Sequence, residues 1–273
     1  MDPRLSSFGK ILTAAALWST IGLASVYSGN YVILALFRSL VAASVGLALV
    51  RTARRAAVVA GLLLGVLFAV YPLAAALAGL GPAAYLLYTA PLWTAAVSAV
   101  LGERAGARDY IAVVLVSVAV ALMLLEALGG SLNLWGVLAG LASGISYGSY
   151  IAVARFYSKR GEDVDVSLGA MPYTLAVTAP AALAYAAVFG LGDLWRPLLG
   201  GVYLGVFCTV LPYRLFSSGT RVVGATKASV VATLEPVLAA LWGYLFLGQT
   251  PSLATALSYA LITAAALLAA LGE

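Results

Sequence analysis

Ten apolar runs of about twenty residues each follow one another along this chain, separated only by short polar breaks. A helix needs about 20 mostly apolar residues to cross a hydrocarbon core about 30 Å thick, so each run is long enough to span a bilayer. The first five cover residues 8–26, 31–50, 56–78, 82–101 and 107–127, and the second five 134–157, 166–189, 197–219, 224–247 and 252–271. Of the 273 residues, 63% are apolar and 9% charged, which leaves no room for a soluble catalytic domain. Gly, Ala, Ser and Pro recur throughout the runs, as membrane helices tolerate and a soluble core does not favour. The expected fold is an all-α integral membrane protein of ten transmembrane helices. Residues 1–25 have the charge and apolar pattern of a signal peptide, but the many spans that follow make them a retained first helix.

Charge placement sets an orientation. With the N-terminus inside, Arg4, Lys10, Arg51, Arg54, Arg55, Arg104, Arg108, Arg155, Lys159, Arg160, Arg221 and Lys227 fall at the inner face and Arg196 at the outer. This predicts a multi-pass protein of the cytoplasmic (inner) membrane with both termini in the cytoplasm. The net charge of +5 is therefore topological, and no nucleic-acid partner is expected.

Short motifs repeat in the same order in the two halves. Tyr71-Pro72, Gly81-Pro82-Ala83, Ala90-Pro91-Leu92 and Leu101-Gly102-Glu103 are echoed by Leu211-Pro212-Tyr213, Gly224-Ala225-Thr226, Glu235-Pro236-Val237 and Leu247-Gly248-Gln249. Two units of five helices, residues 1–128 and 129–273, would enter the membrane from opposite sides and form inverted repeats suited to alternating access.

With Ala16-Leu17-Trp18-Ser19, Leu36-Phe37-Arg38-Ser39-Leu40 and Leu234-Glu235-Pro236-Val237 added to these motifs, the chain resembles the drug/metabolite transporter superfamily, EamA type. The resemblance implies ten helices in two inverted repeats and export or exchange of amino acids, other small metabolites or toxic compounds. Gln249 departs from it, standing where a Glu often follows Leu-Gly.

An ionisable side chain inside hydrocarbon costs at least a few kcal/mol, so each one needs a partner, water or a task. Arg38 is about 12 Å deep in the second run and Glu235 about 16 Å deep in the ninth, at 1.5 Å per residue, so the two can meet near the midplane. Flanking a water-filled cavity, they could hold the carboxylate and ammonium of an amino-acid-like solute, or Glu235 could carry a proton; the alternative is a fixed ion pair. Trp18, Tyr71, Tyr88, Tyr147, Tyr150, Tyr173 and Tyr213 lie too deep to be interfacial anchors and join the candidate substrate-binding set, either as packing or as contacts for a solute with an apolar part. Lys227, with Arg214, reads as a headgroup anchor or as a receptor for an entering phosphate or carboxylate, which would suit an organophosphate or nucleotide-sugar carrier.

The expected partners are a small-molecule solute and the lipid bilayer; proton coupling and oligomeric state stay open. The chain has no histidine and one cysteine, Cys208, which excludes Ser-His catalysis and a Cys-built metal cage. Neither a cofactor nor an enzymatic activity is expected. A non-transporting receptor or structural role would predict no solute flux.

Overall fold

The computed structural model describes residues 3–50, 55–78, 80–103, 105–127, 133–160, 166–248 and 250–271. Arg51, Arg54, Arg104, Asp2, Asp163, Asp165, Gln249 and the expected junction at residues 128–129 lie outside the described residues. The chain is an all-α membrane protein. Its first span is Pro3–Trp18 continued by Ile21–Ser28, the second Tyr31–Leu49, the third Arg55–Ala78, the fourth Leu80–Leu87 continued by Ala90–Val100, and the fifth Ala107–Ala127. The sixth is Leu134–Lys159 and the seventh Val166–Phe189; the eighth is Trp195–Gly205, a π-helical turn Val206–Val210 and Leu211–Val223; the ninth is Ala225–Ala232 continued by Glu235–Leu247, and the tenth Leu253–Leu271. Among the described residues nine segments are long and apolar enough to cross a membrane, and the two-piece ninth span adds a further crossing.

Local chemistry explains where the helices begin and end. The Asn30 side chain accepts from Ile33 N, Asn133 from Trp135 N and Gly136 N, and Ser252 from Thr255 N, each satisfying amides that have no partner within their helix. The paired Leu-Gly motifs are helix stops: Gly102 (φ 84°) and Gly248 (φ 63°) adopt the left-handed conformation that a Cβ disfavours. At Gly102 the chain closes with Glu103 N donating to Ser98 O at 2.8 Å. The fourth and ninth spans both break after about two turns, immediately before Ala90-Pro91 and Glu235-Pro236. Proline supplies no amide and suits the first turn of the helix that restarts.

Two expected span starts change. The first span starts at Pro3, because a helix carrying Arg4 and Lys10 continues through the headgroup layer. The fourth span, expected from residue 82, starts at Leu80, so that Pro82 lies in its first turn. Asp109, inside the expected fifth run, lies in the first turn of the fifth span and is 5% exposed; its carboxylate accepts from Gly106 N at 3.1 Å. Acidic groups are favoured at a helix N-terminus, which accounts for the placement.

The third span packs on the sixth and seventh, the second on the seventh and eighth, the first on the eighth and ninth, the fourth on the sixth, and the fifth on the tenth. Exchanging the first five spans with the last five, in order, maps each pairing onto another in this set or onto itself. The interfaces are built from small residues such as Ala14, Ala42, Ala60, Ala170 and Ala228, while Leu125, Leu183 and Val188 point outward to lipid. One very close approach is at Gly61, where a Cβ would stand 2.3 Å from the Ala170 carbonyl oxygen. Gly61→Ala must therefore push the third and seventh spans apart, at about 1–3 kcal/mol. A lower melting temperature in detergent is the expected result, and an unchanged one would show that the helices separate freely.

Candidate substrate-binding cavity

Call the end of the bundle that carries Pro3 the near end and the other the far end. A cavity of about 340 Å³ occupies the far half, large enough for a small metabolite. Its walls come from the first, second, third, fourth, sixth, eighth, ninth and tenth spans, and reach Ser25, Tyr31 and Ala240 toward the far end. Of the residues singled out in sequence, the cavity brings together Trp18, Arg38, Tyr71, Tyr88, Tyr147, Tyr213 and Glu235.

The two charges are held separately. Arg38 donates from Nε to Thr209 Oγ1 at 2.6 Å and from Nη2 to the Cys208 carbonyl at 3.2 Å, hydrogen-bonds the Tyr213 hydroxyl, and lies over the Phe68 ring with Cζ 3.9 Å from its centroid. Every one of these partners is neutral. Glu235 begins the second piece of the ninth span, where the freed amides of a helix start favour a carboxylate, and takes a hydrogen bond from the Tyr88 hydroxyl. Among the described residues the ion pairs are Arg155–Glu103, Lys159–Glu103, Arg196–Asp193 and Lys227–Asp109, and none joins Arg38 to Glu235. The fixed ion pair considered as an alternative is absent from this structure, and each charge stays available to the cavity.

Toward the near end the cavity stops at an aromatic floor. Trp18 meets Tyr213 at 5.1 Å, Phe216 at 5.4 Å and Tyr147 at 6.0 Å between ring centroids, contacts worth about 0.5–1.5 kcal/mol each beyond area burial. Tyr150 belongs to this layer, stacked 6.5 Å from Tyr147 and 1% exposed, so it supports the wall without lining it. Tyr173 also lies away from the cavity, beside Gly61 at the packing of the third and seventh spans. Lys227 is at the near end, its Nζ 4.0 Å from Asp109 Oδ1.

Below the floor, polar ties join the near ends of the spans. Arg155, 7% exposed, pairs through Nε with Glu103 at 2.5 Å and donates from Nη1 to the Thr220 carbonyl, linking the sixth span to the fourth and eighth. Lys10 Nζ donates to Ser218 Oγ at 3.0 Å, linking the first and eighth. With Lys227–Asp109 these contacts close the near end.

The cavity also holds residues that reasoning from sequence left out of the set. Phe68 sits three positions before Tyr71, a spacing that places both on one helix face. Tyr31, Tyr85 and Tyr259 also line it, and for Tyr31 and Tyr259 no feature of spacing or depth set them apart in the sequence.

The model of the EamA-like transporter family matches residues 134–271, half of the chain. The chain belongs to the EamA-like transporter family. A protein of Archaeoglobus fulgidus described as an uncharacterized transporter is 32% identical over 187 residues, 68% of this chain, and the match spans 66% of that relative's length. A solved crystal structure of a protein superimposes with a TM-score of 0.78 at 24% identity, covering 97% of this chain and 96% of the other, which shows the fold. As a member of the EamA-like transporter family, the chain is a multi-pass membrane protein, and the cavity lies where spans from both halves of the bundle meet.

Proposed function

We propose that this EamA-like transporter carries amino acids or related small metabolites across the cytoplasmic membrane, as an exporter or facilitator working by alternating access. One observation carries the reading: an arginine and a glutamate side chain face a single cavity, each held by neutral partners and not paired with each other. A solute with both a carboxylate and an ammonium group would answer both charges, and the rings of Phe68, Tyr71 and Tyr147 would take its apolar part. The symmetric pairing of spans and the matched breaks before Ala90 and Glu235 support two inverted five-helix repeats, residues 1–128 and 129–273. The charge bias supports cytoplasmic termini. Catalysis forms no part of this reading, because carriage requires no bond to break.

The test is uptake into liposomes by the purified protein, with labelled amino acids, cationic drugs and sugar phosphates offered in parallel, with and without a pH gradient. Saturable flux of amino acids above the other two classes is the expected result. Flux of cationic drugs alone would replace the reading with efflux of toxic compounds, and sugar-phosphate flux alone with an organophosphate carrier. No flux of any class would point to a receptor or structural role.

A further inference from the structure

Proline at position 212 has a consequence one turn earlier. In a regular helix the amide of residue 212 would bond the Cys208 carbonyl, but Pro212 has no N–H and its ring crowds that same carbonyl. The eighth span answers with the π-helical turn Val206–Val210, in which Leu211 N reaches back five residues to Val206 O. The Cys208 carbonyl, without its α-helical donor, accepts instead from Trp18 Nε1 at 3.1 Å and from Arg38 Nη2 at 3.2 Å. The next residue, Thr209, is fully buried; it donates to Leu204 O at 2.8 Å, again five residues back, which turns its oxygen lone pairs toward Arg38 Nε at 2.6 Å.

We infer that Thr209 is a positioning residue for Arg38, and that through Arg38 it sets the preference for solutes bearing a carboxylate, although it does not itself line the cavity. A guanidinium presents its donors in a rigid planar fork. Thr209 Oγ1 and the Cys208 carbonyl hold one edge of that fork, and the Phe68 ring holds its face. The Tyr213 hydroxyl takes a further hydrogen bond from the guanidinium, so the fork is held in one direction and a carboxylate in the cavity meets donors already in place. Without the Thr209 hydroxyl, Nε would turn toward the cavity or toward water, and the charge would stay while its orientation was lost.

The inference rests on the proposed role of Arg38 and is tested so that the two can fail separately. Thr209→Val keeps the branched shape and removes the acceptor. In proteoliposomes, KM for phenylalanine should rise about tenfold with maximal rate unchanged, as for a lost hydrogen bond to a charged group; KM for phenethylamine, the same molecule without its carboxylate, should stay as in the unaltered protein. Thr209→Ser should restore the low KM for phenylalanine. Should Thr209→Val fail to fold, Pro212→Ala reaches the same point by returning an amide donor to Cys208, and the same selective rise is expected. An equal rise for both solutes would show only a packing role and overturn the inference. A rise with Arg38→Gln but none with Thr209→Val would overturn it while leaving the proposed function standing. No effect of Arg38→Gln, or no flux of either solute through the unaltered protein, would overturn the function and this inference with it.

Discussion

Replacing Glu235 by Gln should lower the kcat/KM of amino-acid uptake by roughly 10- to 150-fold, because a hydrogen bond to a charged group contributes about 1.5–3 kcal/mol and the substitution keeps the shape while removing the charge. The Tyr88 hydroxyl can still donate to the amide oxygen, so the break before Glu235-Pro236 and the packing of the ninth span should survive. Uptake of a solute lacking the ammonium group should change little. The measurement is initial-rate uptake by Glu235→Gln in proteoliposomes, for an amino acid and for its deaminated acid. An equal loss for both would mean that Glu235 acts on the carrier and not on the ammonium group, and full retention for both would remove it from the site.

The second large effect is expected at the near end. Glu103→Gln leaves the Arg155 guanidinium 7% exposed and without its carboxylate partner. Removing one member of a buried pair costs about 3–5 kcal/mol, and the low end applies here because the Glu103 side chain is itself 22% exposed. The melting temperature in detergent should fall by several degrees. Arg155→Met on its own strands Glu103 less severely, since that side chain reaches water and Lys159 Nζ is 3.9 Å away. The double substitution Glu103→Leu, Arg155→Met should recover much of the loss, because apolar replacement of an entire buried pair is often neutral or stabilising. A double variant as unstable as Glu103→Gln would show that the pair is irreplaceable for a reason other than desolvation.

These effects fall on residues that differ in how visible they were beforehand. Span limits came through well: residues 107–127 and 166–189 were expected and the helices are Ala107–Ala127 and Val166–Phe189. Hydropathy reports how long a segment can stay in lipid, and the bilayer enforces that length. It is blind to backbone register, so the breaks at Ser19-Thr20 and Thr233-Leu234 and the π-helical turn lay inside runs that read as continuous. The same distinction governs the cavity. Arg38 and Glu235 stand out in any sequence because a charge in hydrocarbon demands an explanation. Thr209 does not, since one hydroxyl among small residues is ordinary in a membrane helix and becomes specific only when a second span places a guanidinium against it. Tyr150 and Tyr173 show the opposite error: depth in a span distinguishes the interior from the interface, but not a cavity wall from the layer behind it.

The polar ties on one side of the bundle also bear on the kinetics of a two-sided carrier. If the Glu103–Arg155 and Asp109–Lys227 pairs, Lys10–Ser218 and the aromatic floor together favour the far-open form by about 3 kcal/mol, the opposite form makes up less than about 1% of the unliganded protein. A solute arriving from the far side then meets a receptor that is already assembled, whereas one arriving from the near side must wait for a rare conformer, and its half-saturation concentration rises by about a hundredfold. For a carrier without an energy source the maximal rates must compensate, so that no gradient is created at equilibrium. The bundle would work as a valve in concentration and not in thermodynamics, saturating at low solute on one face and responding almost linearly on the other.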